Sequence, residues 1–325
     1  MNDAILLRRW DIFSHFSAAQ LEHLGPYVTR RRLSVGEEVF QETDTGREAF
    51  VILDGKVRIQ RATPYGHYSL ADLGEGELFG ETSFIDEQPR SGGAAVLENA
   101  ELLVLDPERL SKGMAEDQRL TVALYWSFWK SLAQKLRRTN DKLTQFFTEA
   151  SDQASMDDSS KKDPTVEFHI DLAAKKALFQ EQKLSNMEIN FLASLSREAK
   201  MSPGKLIFRE GDVGDEMYVV LDGKVMISKF IPGAGEEALA FLERGDYFGE
   251  MALIDQQPRS ADAKASQEGA VLLAIPREVL QGLLDIHKVS SLRLLTILSN
   301  LIAKRLRELN EKLITWFIFS GGSSS

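Results

Sequence analysis

The chain contains no cysteine in its 325 residues, which removes disulfide frameworks, thiolate metal sites and cysteine nucleophiles from consideration. Its five histidines, His15, His23, His67, His169 and His287, are scattered, and no two stand at metal-ligand spacing. No run approaches the roughly 20 apolar residues that a bilayer-crossing helix requires. The N-terminal stretch lacks the charged, apolar and small-residue layout of a signal peptide. No basic cluster offsets the formal charge of −10, so the balance opposes binding to a phosphate backbone. What is present is an ordinary globular composition, 43% hydrophobic and 27% charged, at a length suited to two domains. These features imply a soluble, cytoplasmic protein without redox, zinc, nucleic-acid or membrane-insertion chemistry.

The chain repeats itself. LDGKV occurs at Leu53–Val57 and again at Leu221–Val225, and FGE at Phe79–Glu81 and Phe248–Glu250. IDEQPRS (Ile85–Ser91) returns as IDQQPRS (Ile254–Ser260), and KLRRTNDKL (Lys135–Leu143) as KRLRELNEKL (Lys304–Leu313). The offset creeps from 168 to 170, as single-residue loop differences inside one shared fold would produce.

Each copy opens on apolar residues at helical spacing: Phe13, Phe16, Leu21 and Leu24 in the first, Leu184, Ile189 and Leu192 in the second. Short runs rich in Val, Ile, Phe and Tyr follow, punctuated by glycine. They predict strands of four to eight residues joined by Asp-Gly and Gly-Asp turns, hence an antiparallel β-roll of jelly-roll type. After Pro107 and Pro276 the pattern turns helical for some 40 residues. The expected fold is therefore mainly β with α, two repeated rolls each ending in a long helix. The expected boundaries are 1–147 for the first domain and 148–168 for a flexible acidic, serine-rich linker. The second domain spans 169–319, and 320–325 form a disordered tail.

The most informative segment follows the last short strand. Gly80 and Gly249 allow close backbone approach, so the next amides are able to point at one anion at the start of a helical turn. Glu81 and Glu250 sit beside that anion position, where an acid makes sense as an acceptor for a hydroxyl. Arg90 and Arg259, nine residues on and after a proline, offer a planar fork for phosphate. Amides, hydroxyl acceptor and fork together describe a sugar-phosphate ligand.

FGEMALIDQQPRSADA (Phe248–Ala263) resembles the phosphate-binding cassette of the cyclic-nucleotide-binding domain family, whose members include the bacterial catabolite activator protein and the regulatory subunit of protein kinase A. The resemblance extends over both copies. It implies that Glu250 binds the ribose 2′-hydroxyl, Arg259 the cyclic phosphate, and the amides of Met251 and Ala252 the phosphate oxygens. Ser260 would add a hydroxyl near phosphate or base, and Leu239 would pack on the sugar or purine. FGETSFIDEQPRSGGA (Phe79–Ala94) keeps Glu81, Arg90 and Ser91 at the same spacing, with Leu70 matching Leu239. It departs at Thr82, Ser83, Phe84 and Gly92–Gly93, and its earlier loop has Thr43 where the second copy has Gly211. Binding at both sites with unequal affinity is the expectation; a first cassette that has lost binding is the alternative.

No nucleophile–base pair or histidine cluster supports an enzyme, and no helix-turn-helix follows either long helix. Arg8–Arg9–Trp10–Asp11 faintly resembles a kinase pseudosubstrate, but its apolar neighbours read as an opening helix. The expected function is a two-site sensor of cyclic AMP or cyclic GMP, acting on an unidentified effector protein by a change of shape. A scaffold with vestigial nucleotide sites is the rival reading.

The long helices carry a seam spaced by threes and fours. It runs through Val122, Tyr125, Trp129, Leu132, Leu136, Thr139, Leu143 and Phe146 in the first copy. In the second it runs through Leu292, Leu295, Ser299, Ile302, Leu306, Leu309, Leu313 and Trp316. Large residues of one list meet small ones of the other, which favours an intramolecular pseudo-dimer over a homodimer. The resemblance implies that Asn140 and Asn310 lend a polar group to the base. The aromatic end of the second helix, Trp316, Phe317 and Phe319, would cap a purine or, more in keeping with the seam, pack on a partner helix.

Overall fold

The computed structural model describes residues 7–148, 170–181, 184, 186–231, 235–284 and 292–322. Most of the expected linker and the last three residues of the expected tail lie outside the described residues. The chain divides into two compact units. One comprises Met1–Leu136 with Ile302–Ser324, the other Arg137–Leu301 with Ser325.

The first unit opens with a 3-10 turn, Asp11–Phe13, and helix α1 (Ala18–Leu24). A capping box starts α1: the Ser17 hydroxyl accepts from the Gln20 amide, and the Gln20 side chain accepts from the Ser17 amide. Six antiparallel strands follow: β1 (Val28–Leu33), β2 (Glu38–Phe40), β3 (Ala49–Thr63), β4 (Gly66–Leu73), β5 (Leu78–Phe79) and β6 (Gly93–Leu105). The sheet order is β1-β6-β3-β4, with β2 on β6 and β5 on β3. Helix α2 (Glu81–Asp86) lies between β5 and β6. The core between the strands is built from Leu33, Phe50, Ile52, Val57, Leu73, Phe79 and Leu102.

The second unit repeats this topology. Helix α5 (Leu172–Glu181) and helix α6 (Asn186–Leu195) lead into β7 (Arg197–Met201), β8 (Leu206–Phe208), β9 (Glu216–Ile231), β10 (Gly235–Leu242), β11 (Tyr247–Phe248) and β12 (Asp262–Pro276). The order is β10-β9-β12-β7, with β8 on β12 and β11 on β9. Helix α7 (Met251–Asp255) sits where α2 does in the first unit.

Two local expectations are corrected. The principal strands are not four to eight residues long: β3 has 15, β6 has 13, β9 has 16 and β12 has 15. Asp54–Gly55 and Asp222–Gly223 are not turns between strands but bulges within β3 and β9. Gly55 and Gly223 take φ of +87° and +75°, and a Cβ there would come within 2.2 and 2.3 Å of a backbone carbonyl oxygen on the neighbouring strand. The ladder shifts register around both glycines. A bulge bends a strand, so β3 pairs with β5 before Gly55 and with β4 after it.

The second correction concerns the helical tail of each copy. It is a short helix followed by a long one: α3 (Pro107–Glu116) and α4 (Gln118–Thr148), then α8 (Arg277–Leu283) and α9 (Leu292–Phe319). Asp106 caps α3 through the amide of Glu108, with Pro107 in the first turn. Asp117 is extended and breaks the run; its carboxylate accepts from the Arg119 amide and starts α4. Buried Glu188 from α6 accepts from the Leu294 amide in the first turn of α9. Along the seams Val122, Trp129, Leu132, Leu143, Leu295, Ser299, Ile302 and Leu313 are fully buried. The Phe146 side chain lies outside the described residues.

The loop between β2 and β3 carries a strained residue. Thr43 adopts φ of +72°, where the equivalent Gly211 has +84°. Both residues donate their amide to the backbone oxygen of the arginine in the following segment, Thr43 to Arg90 and Gly211 to Arg259, each at 2.9 Å. The bond holds a β-branched residue in a conformation that costs of order 1–3 kcal/mol. Thr43→Gly is therefore expected to stabilise the first unit by about 1 kcal/mol after the loss of backbone entropy in the unfolded chain. Denaturant unfolding checks this, and a lower midpoint for the variant contradicts it.

Candidate functional site

Each unit presents the same backbone device. In the first, β5 runs into Gly80 at φ +78°, then α2, then left-handed Glu87, Pro89 and Arg90. In the second, β11 runs into Gly249 at φ +78°, then α7, left-handed Gln256, Pro258 and Arg259. A Cβ at Gly80 would stand 2.8 Å from both Arg90 Nη1 and the Glu48 carbonyl oxygen; at Gly249 it would stand 2.7 Å from Arg259 Nη1. Glycine is required twice over, by the backbone angle and by the closeness of the arginine.

The two arginines are 3% and 5% exposed, so each is a cation taken out of water. Arg90 donates from Nη1 to the Gly80 carbonyl (3.0 Å) and from Nη2 to the Glu48 carbonyl (2.7 Å). Arg259 donates likewise to Gly249 (2.6 Å) and Glu216 (2.7 Å). Each guanidinium lies over an aromatic face, Phe40 at 4.1 Å and Phe208 at 4.2 Å, with Phe50 and Tyr218 farther out. Burial pulls both guanidinium pKa values below their ordinary range. The strongest opposing influence is Glu48 on Arg90 and Tyr218 on Arg259.

Glu81 and Glu250 are 0% and 1% exposed. Oε1 of Glu81 accepts from Ser131 Oγ (2.8 Å) and Lys135 Nζ (2.5 Å), both on α4, and both donors also reach the Leu78 carbonyl. Among the described residues, Oε2 of Glu81 and Nε of both arginines find no hydrogen-bond partner. Buried polar atoms in this state are costly unless something supplies the missing partner. The first unit thus offers an acceptor waiting for a donor and a donor waiting for an acceptor. A molecule carrying a hydroxyl beside an anion satisfies both.

The other residues singled out in the sequence are placed as follows. Leu70 and Leu239 both fall at bulges, between the paired Ser69 and Ala71 on β4 and between Ala238 and Ala240 on β10. A bulge re-aims its extra side chain, so these two leucines share a local geometry that alternation does not foretell. Thr82, Ser83, Met251 and Ala252 occupy the first turns of α2 and α7. Ser83 Oγ is 3.3 Å from Arg307 Nη2, and Ser260 Oγ contacts Met251 Sδ at 3.7 Å. The Ser91 carbonyl accepts from Arg61. Asn140 and Asn310 are buried, Asn140 within the second unit and Asn310 within the first. Phe317 packs on Tyr68 of β4, ring centres 4.5 Å apart, so this ring covers a strand of the first unit; Phe319 is 81% exposed.

Sequence reasoning missed a clamp on each cassette. In the first unit Arg307 of α9 grips Asp86 at the end of α2 with two bonds (2.6 and 3.0 Å) and donates to the Pro89 carbonyl (2.9 Å). In the second unit Arg137 of α4 grips Asp255 at the end of α7 (2.9 and 3.1 Å) and donates to the Pro258 carbonyl (2.8 Å). The pairing of Arg137 with Arg307 at the repeat's own offset was the available signal. The recurrence of Phe40 as Phe208 and of Phe50 as Tyr218 was the corresponding signal for the aromatic cradle.

The model of the cyclic nucleotide-binding domain matches residues 30–117 and 198–287, more than half of the chain. The chain is 23% identical over 270 residues to the cGMP-dependent protein kinase egl-4 of Caenorhabditis elegans, covering 82% of this chain and 28% of that protein. It is 37% identical over 128 residues to the cyclic AMP receptor protein of Thermus thermophilus, covering 38% of this chain and 56% of that protein. Among solved structures, the regulatory domain of Toxoplasma gondii PKA with cAMP is similar over 89% of this chain and 92% of that one, at 19% identity and a TM-score of 0.32. The matched region is thus less than a third of the worm kinase and little more than half of the bacterial receptor.

The clamp generates a test of its own. Arg307 and Asp86 are 20% and 14% exposed, so their pairing is only partly screened. Arg307→Gln is expected to cost the first unit about 1–2 kcal/mol, and a double-mutant cycle with Asp86→Asn to show most of it as coupling. Additive single effects contradict the clamp.

Proposed function

The chain belongs to the cyclic nucleotide-binding domain family and carries the domain twice, and on that premise we propose that it is a two-site sensor of a cyclic purine mononucleotide, cyclic AMP or cyclic GMP. The observation that carries the reading is the pair of buried arginines, each with Nε unused, beside a buried glutamate that in the first unit keeps one bare oxygen. In this reading Arg90 and Arg259 receive the cyclic phosphate, together with amides of Thr82 and Ser83 or of Met251 and Ala252. Glu81 and Glu250 accept from the ribose 2′-hydroxyl. Gly80 and Gly249 keep the arginine close, and Ser91 and Ser260 stand at the phosphate end. Leu70 and Leu239 pack on sugar or base, and Asn140 and Asn310 offer polar contacts to the purine.

The protein is non-catalytic in this reading, works in the cytoplasm and signals to a partner protein. The output follows from how the cassette is held. Glu81 is tied to α4 through Ser131 and Lys135, and Asp86 to α9 through Arg307. A ligand that draws on Glu81 and Arg90 changes the load on both helices, and it shifts their position by as much as it binds one arrangement better than the other. The composition of the two units, each completed by helix residues of the other repeat, supports a single chain acting as its own pseudo-dimer.

Two measurements test this. Calorimetry with cyclic AMP and cyclic GMP is expected to show two ligands per chain. Arg259→Ala should remove the second-unit site at a cost of roughly 2–5 kcal/mol, at least thirtyfold. Unchanged binding by Arg259→Ala contradicts the phosphate assignment, and no binding at all favours a scaffold. Light scattering is expected to give the mass of one chain; twice that mass at micromolar concentration contradicts the pseudo-dimer.

A further inference from the structure

The two cassettes match in their ligand groups but differ in what their arginines already hold. In the first unit the Glu48 side chain turns toward Arg90, with Oε2 3.2 Å from Nη2, so the guanidinium bears a carboxylate as well as two carbonyls. In the second unit the equivalent Glu216 is drawn elsewhere. Its carboxylate pairs with Arg197 on β7 and accepts from the Tyr218 hydroxyl (3.2 Å).

The cause lies in two residue differences. Arg197 stands opposite Ala274 on the β7–β12 ladder, and the matching position on the β1–β6 ladder is Thr29, opposite Val104. Tyr218 is matched by Phe50, at the same place beside the short strand: Tyr218 pairs with Phe248 and Phe50 with Phe79. Thr29 has no charge and Phe50 no hydroxyl, so neither position draws Glu48 away as Arg197 and Tyr218 draw Glu216, and Glu48 pairs with Arg90.

A carboxylate on a guanidinium offers what a phosphodiester offers it, one negative charge spread over two acceptor oxygens. We infer that Glu48 is a built-in competitor for the anion position of the first site, and that Arg197 and Tyr218 keep Glu216 from playing the same part in the second. The inference rests on the cyclic-nucleotide reading of these sites. Ligand entering the first site must displace Glu48, whose side chain is 42% exposed and has solvent to move into. The first site is therefore the weaker one, set by a residue outside the cassette.

The test uses the full chain with the second site silenced by Arg259→Ala. In that background Glu48→Gln and Glu48→Thr are compared with the parent by calorimetry with cyclic AMP and cyclic GMP. Both are expected to tighten the first site by roughly threefold to tenfold. Conversely, with the first site silenced by Arg90→Ala, Arg197→Thr combined with Tyr218→Phe is expected to weaken the second site by a similar factor. Equal affinities of parent and Glu48 variants overturn the inference while leaving the nucleotide reading intact. If no variant binds at the first site, it is the reading of that site that falls. The Arg197→Thr/Tyr218→Phe pair then still decides the inference, because an unchanged second site would show that a released carboxylate does not compete.

Discussion

A guanidinium withdrawn from water is the constraint around which each unit is arranged. An unpaired buried charge costs several kcal/mol, so the surroundings must supply compensation before any ligand arrives. Two backbone carbonyls and an aromatic face do so for Arg90 and again for Arg259. That requirement reaches into the backbone. The carbonyl of Gly80 accepts from Arg90 only because the glycine takes a left-handed turn with no Cβ in the way. The β2–β3 loop is stapled to the arginine's own main chain, Arg90 donating to Asp44 and accepting from Thr43. Thr43 tolerates its strain for the sake of that staple.

The compensation is incomplete, and it is incomplete differently in the two copies. The Nε group of each arginine is left over, whereas the carboxylate of the preceding glutamate joins the guanidinium only in the first unit. Motifs that share their glycine, acid and arginine therefore sit in unequal electrostatic surroundings. The difference arises from Thr29 and Phe50 against Arg197 and Tyr218, residues far from the cassette in sequence and of unremarkable type for strands.

The long helices connect this chemistry to something larger than a binding loop. Ser131 and Lys135 hold the first cassette's acid from α4, while Arg307 and Arg137 hold the last acid of each cassette helix. A cassette helix of five or six residues has little stability of its own. It keeps its position through these tethers, and in the proposed reading a ligand at one end of it acts on helix side chains at the other. Small displacements in packed elements of this kind move between discrete arrangements rather than deforming continuously.

The sequence by itself determined the duplication and the mainly β architecture and marked out the charged members of the candidate site, because those rest on local residue identity repeated at a nearly constant offset. Glu81, Arg90, Glu250 and Arg259 were legible for that reason: a glycine, an acid and an arginine at fixed spacing have few other uses. Only the tertiary structure decided the rest. That Asp54–Gly55 is a bulge and not a turn depends on a neighbouring strand whose carbonyl excludes a Cβ at Gly55. That Leu70 and Leu239 stand at bulges depends on ladder register. The bonds from Arg307 to Asp86 and from Glu48 to Arg90 join residues 221 and 42 positions apart. Each joins residues that only packing brings together, which no stretch of sequence records.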